Sequence, residues 1–103
     1  MVNLLPDDVR KTLPRLYSTD GQGDEAQCLV KFFALGSGWT WYASEFDGED
    51  IFFGLVIGHE MELGNFSLKE LESFKPLIER DLHYDPKTVG ELKRYYREHG
   101  HAC

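Results

Sequence analysis

The sequence contains no long hydrophobic run and few cysteines. No apolar stretch approaches the roughly 20 residues of a membrane-spanning helix, so none is expected. The first ten residues include Pro6, Asp7 and Asp8, where a signal peptide needs a basic start and an apolar segment. We therefore expect a cytoplasmic protein with no membrane contact. A disulfide between the two cysteines, Cys28 and Cys103, is disfavoured in such a reducing compartment.

Basic residues are nearly absent from the middle of the chain. Between Ser18 and Phe66 the only base is Lys31, against nine acids, so this segment carries a charge of -8 in a chain of net charge -7. A negative field repels phosphate backbones, which makes direct nucleic-acid binding by this segment unfavourable. The same field attracts cations or a basic protein surface, although plain solubility would also explain it.

The composition that is present favours a folded domain. Hydrophobic residues make up 42% of the chain and aromatic residues 14%, which excludes intrinsic disorder. A length of 103 residues suits a single domain over residues 1–103.

The hydrophobic pattern predicts an α+β fold. Pro6 favours a short helix that ends near Leu13. Two capping boxes, Ser67–Glu70 and Thr88–Glu91, begin two later helices, the first over Leu68, Leu71 and Phe74 with Pro76 as its stop. Four strands are predicted between the first helix and the two later ones, Gln27–Leu35, Trp39–Phe46, Ile51–Ile57 and Glu60–Phe66. Ile78–Tyr84 fits either a short edge strand or an extended segment. Strands followed by helices predict a four-stranded, mainly antiparallel sheet with a short N-terminal helix and two C-terminal helices.

An acidic hairpin lies between the second and third predicted strands. Glu45, Asp47, Glu49 and Asp50 surround the turn signal Asp47-Gly48. Such carboxylates could bind a basic partner or a hard cation, or could only keep the hairpin tip solvated. Their spacing fits no calcium-loop pattern, so we expect no metal and no cofactor.

Two further segments have features of a binding site. Asp20 and Asp24 flank a glycine-containing loop whose backbone could approach a ligand, or which could be only a structured turn. Its acidic flanks disfavour phosphate. Alternation places Trp39 and Trp41 on one face of their strand, where tryptophans either pack in a core or anchor a protein interface.

Two groups of ionisable side chains remain. Glu79, Asp81 and His83 would share one face of an extended chain and could serve acid–base chemistry or bind a metal, or could be a salt-bridged edge strand. The chain ends in His99-Gly100-His101-Ala102-Cys103, a set that could pick up zinc or nickel adventitiously.

Several of these strings together resemble the uncharacterised family called domain of unknown function 2958. The resemblance covers about the first 85 residues and rests on Tyr17–Asp24, Val30–Phe33, Trp39–Ala43, Phe52–Gly54, Glu62–Gly64, Phe66–Leu68, Glu70–Leu71 and Ile78–Leu82. Members of that family are small proteins often encoded on plasmids, phages and integrated mobile elements. The resemblance therefore implies an accessory protein of a mobile element, and it implies no catalytic residues.

We expect a small, acidic, non-enzymatic protein-interaction module. Its partner would be a basic protein surface, such as the nucleic-acid groove of a host defence nuclease, which an acidic protein can occupy by imitating DNA (an anti-CRISPR or anti-restriction role). The predicted partner-binding residues are Asp20, Asp24, Trp39, Trp41, Glu45, Asp47, Glu49 and Asp50. One alternative is a metal-assisted hydrolase that uses Asp20, Asp24, Glu79, Asp81 or His83. A weaker alternative is a nucleic-acid binder that uses Lys93, Arg94 and Arg97.

Overall fold

A computed structural model describes residues 4–19, 21–73 and 77–102, and its main element is an antiparallel sheet. The described residues contain three α-helices, seven strands and a 3₁₀ turn at Gly23–Glu25. In chain order, the helices and strands are α1 (Asp7–Arg10), β1 (Gln27–Cys28), β2 (Val30–Ala34), β3 (Thr40–Phe46), β4 (Ile51–Ile57), β5 (Met61–Ser67), α2 (Leu68–Ser73), β6 (Ile78–Arg80), β7 (Lys87–Thr88) and α3 (Val89–His99). The α+β prediction and its three helices are confirmed. Within the described ranges, no helix has the length and apolarity to cross a membrane.

The main sheet has five strands, so the prediction of four is wrong. Its strand order is β5-β4-β3-β2-β6, and β6 pairs with β2 along Ile78–Arg80. Only three residues form β6, too few for their alternation to separate a strand from an extended segment. The predicted first strand is also divided in two, because β1 leaves the main sheet to pair with β7 while β2 stays in it.

A β-bulge in β3 changes which side chains face each side of the sheet. Ala43 pairs with Gly54, whereas Glu45 pairs with Phe53, so the register shifts between Ala43 and Glu45. The extra residue, Ser44, donates from its hydroxyl to the Phe53 carbonyl at 3.0 Å. A bulge adds one residue to a strand, so every residue after it changes side. Phe46 therefore lies on the same side as Ala43.

Helices and the N-terminal segment cover the two faces of the sheet with separate hydrophobic clusters. The first cluster contains Leu4, Leu5, Val30, Phe32, Ala43, Phe46, Phe52, Leu68, Leu71 and Ile78. The second contains Ala26, Cys28, Tyr42, Leu55, Ile57, Val89 and Leu92. Phe52 is central to the first, with ring centroids 4.6 Å from Phe46 and 5.0 Å from Phe66. Burying one such side chain stabilises the fold by roughly 1.5–3 kcal/mol.

Both predicted helix starts are present, with a difference at α2. Thr88 and Glu91 form the full reciprocal box at α3, which ends at Gly100 in the left-handed conformation (φ 77°). At α2 the Ser67 hydroxyl accepts from the Glu70 N–H at 3.2 Å, but the second cap comes from Asp50. The predicted α2 residues Phe74 and Pro76 lie outside the described residues.

Candidate protein-interaction site

Glu45 is buried, which contradicts its expected place at an exposed hairpin tip. Its side chain is 2% exposed. One carboxylate oxygen accepts from the Tyr17 N–H at 2.7 Å, and the other accepts from the Thr19 N–H at 2.9 Å and from the Thr19 hydroxyl. Tyr17 has a positive φ of 68°, a strained backbone for a non-glycine residue. Glu45 thus fixes residues 17–19 and adds no charge to the surface.

The carboxylates of Asp47 and Asp50 stabilise the β3–β4 turn and the start of α2. One Asp47 carboxylate oxygen accepts from the N–H groups of Glu49, Asp50 and Ile51 at 2.8, 2.7 and 3.0 Å. The hydrogen bond from the Asp50 N–H contributes most to the lowered pKa of Asp47. Asp50 in turn accepts from the Ser67 hydroxyl and from the Lys69 N–H, at 2.8 Å each, and so begins α2. Of the four hairpin acids, Glu49 alone has an exposed carboxylate without a hydrogen bond to the described residues.

Asp24 of the glycine-containing loop pairs with α3 and not with the hairpin. Asp24 accepts from the Lys93 ammonium at 2.8 Å, and this bond lowers the pKa of Asp24. The contact is possible because α3 comes close to the 3₁₀ turn at Gly90, where a Cβ would stand 3.1 Å from the Asp24 Cβ. Lys93, one of the three bases of the proposed nucleic-acid-binding helix end, is therefore already paired. Asp20 lies outside the described residues.

Trp39 and Trp41 lie side by side, with ring centroids 6.0 Å apart. Trp41 packs against the edge of the first cluster, and both rings are half-buried. The Trp39 ring lies on Gly58 in the β4–β5 turn, because a Cβ on Gly58 would stand 2.4 Å from two of the ring atoms. The two tryptophans thus lie on one face, as predicted, at the margin of the core.

Two open depressions meet at Trp39. The first, called here the β2–β3 pocket, has a volume of about 390 Å³ and is lined by Ala34, Leu35, Trp39, Trp41, Leu77 and Ile78 among others. Leu35 and Leu77 are 46% and 55% exposed. The second, the β4–β5 pocket, has a volume of about 530 Å³ and is lined by residues that include Trp39, Val56, His59, Glu60, Glu62 and Gly64. Together, these two pockets and the tryptophans between them are called the tryptophan face.

The rim of the tryptophan face is acidic. Glu60 and Glu62 are exposed, and neither carboxylate makes a hydrogen bond or ion pair with another described residue. None of the described residues that line the two pockets is a lysine or an arginine. Trp39 thus lies between exposed leucine side chains on one side and two unpaired carboxylates on the other, an arrangement suited to contact a basic protein surface.

The groups proposed for hydrolase chemistry do not converge among the described residues. The chain turns at residues 82 and 83, so Glu79, Asp81 and His83 do not share the face of one extended strand. Asp81 pairs with Lys31 at 3.4 Å and lines a different depression from Asp24. In residues 4–19, 21–73 and 77–102, no group of three or more His, Cys, Asp or Glu side chains could bind a metal ion.

The cysteine and the C-terminal histidines lie apart from the tryptophan face. Cys28 is buried, which raises the pKa of its thiol to about 12. His99 stacks on Tyr95 at a centroid distance of 4.0 Å, and His101 packs edge-on to the same ring. Cys103, the second cysteine and the last residue of the histidine-containing tail, lies outside the described residues.

Sequence reasoning identified the two tryptophans and missed most of their neighbours. The sequence indicates Glu60 and Glu62 as outward-facing residues beside His59 that could serve acid–base chemistry or bind a metal, and Glu62 and Gly64 belong to the strings shared with the family. Pairing places Trp41 opposite Val56, and Val56 opposite Glu62. This row of Trp41, Val56 and Glu62 across three strands depends on the register shift at the bulge in β3, and the sequence does not predict that bulge. The position of His59 beside two acids was the one available signal.

One family model matches nearly the whole chain. The family is described as "Protein of unknown function (DUF2958)", and its model matches residues 4–102. The match extends past the first 85 residues and includes α3. No curated protein and no solved structure matches the chain.

Proposed function

The chain belongs to the DUF2958 family, and within that family we propose that it is a non-enzymatic interaction module whose tryptophan face binds a basic surface of another protein. The proposal places this contact in the cytoplasm and gives Trp39 and Trp41 the role of apolar anchors. Glu60 and Glu62 contribute the charge, whereas Glu49 lies on the β3–β4 turn at the other end of β4 and is not part of this surface.

The observation that carries the proposal is an incompletely covered sheet face with two adjacent tryptophans. Soluble proteins rarely leave a cluster of large apolar side chains at the surface without a function. Here Leu35 and Leu77 are about half exposed next to Trp41. Tryptophan is enriched among residues that dominate interface energies, because a flat ring buries much area with little loss of side-chain entropy.

The carboxylates that make no hydrogen bonds within the fold indicate which kind of partner would bind. Glu45, Asp47 and Asp50 accept backbone N–H groups, and Asp24 is paired with Lys93. Glu60 and Glu62, in contrast, lie free at the rim of the β4–β5 pocket. A basic partner would supply the missing counter-charges, and exposed pairs of this kind speed association at low salt.

We further propose that the partner is the nucleic-acid groove of a host defence nuclease. This part rests on the negative charge of the middle segment and on the mobile-element setting that the family resemblance implies. It predicts that a duplex oligonucleotide and this protein compete for one nuclease surface. Simultaneous binding of both to the same nuclease would exclude this mode.

The experiment is an affinity purification from a native host with identified partners, followed by binding measurements on purified components. Trp41→Ala should weaken binding by at least about tenfold, the loss expected from an interface anchor. Reversing the rim with Glu60→Lys and Glu62→Lys should weaken binding and reduce its dependence on salt. Glu98→Lys is the matched control, because Glu98 is exposed on α3, which covers the opposite face of the sheet.

The charge reversals must avoid the structural acids. Reversing Glu45, Asp47 or Asp50 removes hydrogen bonds that build the fold, so a loss of binding there would not identify a contact. If an identified partner binds the Trp41→Ala protein and the rim variants as tightly as it binds the unmodified protein, the tryptophan face is not the interface.

A further inference from the structure

We propose that the β4–β5 pocket binds one arginine side chain of the partner. This inference rests on the proposed function and deepens it, since it assigns the basic group and the place where it binds. The guanidinium would stack on the Trp39 ring and form hydrogen bonds to the carboxylates of Glu60 and Glu62.

The floor of the pocket is a glycine that leaves open space. Gly64 lies in the middle of β5, on the same face as Phe66 and Glu62 by alternation. A Cβ built on Gly64 would meet no atom within 4 Å, and its φ is not in the positive range. The backbone and its surroundings would thus tolerate a side chain at position 64. Because glycine has none, the pocket is deeper at this point.

The aromatic wall of the pocket is fixed on both sides. The Trp39 ring lies directly on Gly58 and also contacts two other rings: His59 packs edge-on at 5.5 Å and an interplanar angle of 81°, and Trp41 lies beside it at 6.0 Å. A ring held in this way presents a flat surface at little entropic cost. Cations bind over the face of tryptophan more strongly than over other aromatic rings.

The charged wall is unpaired in the described structure. Glu60 and Glu62 are exposed and make no ion pair with the described residues, so a cation in the pocket would meet two free carboxylates. These two carboxylates with one imidazole do not form a metal-binding group. The volume of about 530 Å³ also suits an organic cation better than a bare ion.

The shapes of the two walls favour arginine over lysine. A planar guanidinium stacks on a ring and offers parallel N–H donors to a carboxylate, whereas an ammonium is a compact, strongly hydrated charge. The pocket opens beside β5, which is an end strand of the main sheet. A partner segment lying along β5 could therefore deliver the side chain without entering the core.

The test uses three capped tripeptides, Gly-Arg-Gly, Gly-Lys-Gly and Gly-citrulline-Gly, added at low ionic strength to the ¹⁵N-labelled full chain. The arginine peptide should shift the indole signal of Trp39 and the amides of Gly58, Glu62 and Gly64, with a dissociation constant in about the millimolar range. The lysine peptide should bind several times more weakly. Citrulline has the shape of arginine without its charge, so it should cause no saturable shift.

Gly64→Val is the decisive variant, because it fills the floor with a strand-favouring residue and needs no change in charge. It should weaken arginine binding at least about tenfold while the rest of the amide spectrum is retained. Glu62→Gln should weaken binding as well. Glu49→Gln, which changes an equally exposed carboxylate on the β3–β4 turn, should leave it unchanged.

Three outcomes would overturn the inference. These are equal binding of citrulline and arginine, unchanged binding by Gly64→Val, and shifts spread over all exposed acids. The inference and the proposed function fail separately. If Trp41→Ala abolishes binding of an identified partner while the arginine peptide does not enter the pocket, only the arginine assignment is lost. If the peptide binds as described but rim and Trp41 variants leave partner binding intact, only the proposed interface is lost.

Discussion

The buried carboxylate of Glu45 should be among the most important polar groups for stability. It accepts two backbone N–H groups, from Tyr17 and Thr19, in addition to the Thr19 hydroxyl. Glu45→Ala leaves both N–H groups without this acceptor. Each hydrogen bond to a charged group contributes about 1.5–3 kcal/mol, so the loss of two should lower the free energy of unfolding by about 3–6 kcal/mol.

Glu45→Gln separates the charge from the shape. Its amide keeps one acceptor oxygen, but the NH₂ group then faces an N–H or hydroxyl donor. We expect a loss of about 2 kcal/mol, between the alanine variant and the unmodified protein. Glu49→Ala is the control, since Glu49 is exposed and its side chain makes no hydrogen bond to the described residues; it should change stability by less than about 0.5 kcal/mol.

The assay is urea unfolding monitored by far-UV circular dichroism, with hydrogen exchange of the Tyr17 and Thr19 amides as a local reading. In Glu45→Ala these two amides should exchange faster than the midpoint shift alone requires. A loss below about 1 kcal/mol for Glu45→Ala, or unchanged exchange at both amides, would refute the structural role of this carboxylate. If Glu45→Gln is stable but fails to bind an identified partner, Glu45 contributes to the interface as well as to the fold.

Three other predictions follow from single contacts. Hydrogen bonds lower the pKa of Asp47 from its ordinary 3.8, so Asp47 stabilises the fold above that value and this contribution is lost as the pH falls through the lower folded pKa. The urea midpoint of Asp47→Asn should therefore fall less steeply in this acid range than the midpoint of the unmodified protein. Gly54→Ala would place a Cβ 1.8 Å from the Tyr42 carbonyl oxygen, so the melting temperature should fall by several degrees or the protein should not fold, whereas an unchanged value would contradict the close approach. Burial raises the pKa of Cys28 to about 12, so in a Cys103→Ser background iodoacetamide should modify Cys28 only after denaturant is added, and rapid labelling of the native protein would show that the thiol is accessible.

The strands with strong local patterns could be predicted from the sequence, and the short or irregular ones could not. Ile51–Ile57 is a run of apolar, β-favouring residues interrupted only by Gly54 and bounded by turn signals, and β4 has those same limits. β6 is defined by its pairing with β2 and has no pattern of its own. The division of the first predicted strand at Leu29 depends on the late partner Lys87–Thr88, which lies far along the chain.

The candidate site shows the same division between local and long-range information. Alternation alone places Trp39 and Trp41 on one face, and the structure agrees. The acids look alike in the sequence, yet Glu45 is buried while Glu62 is free, because the bulge in β3 and the position of residues 17–19 decide which carboxylates meet N–H donors. Counting charges thus identified the acidic segment but could not separate structural acids from those available to a partner.

The position of the tryptophans makes the face its own optical probe. Trp39 and Trp41 are the two tryptophans of the chain, and their ring centroids are 6.0 Å apart. Their emission therefore comes entirely from the tryptophan face, and rings this close also couple in near-ultraviolet circular dichroism. Phenylalanine at one position would isolate the emission of the other and remove the coupled signal. A ligand in the β4–β5 pocket would then be recorded mainly by Trp39, and one in the β2–β3 pocket by both rings, without any added label.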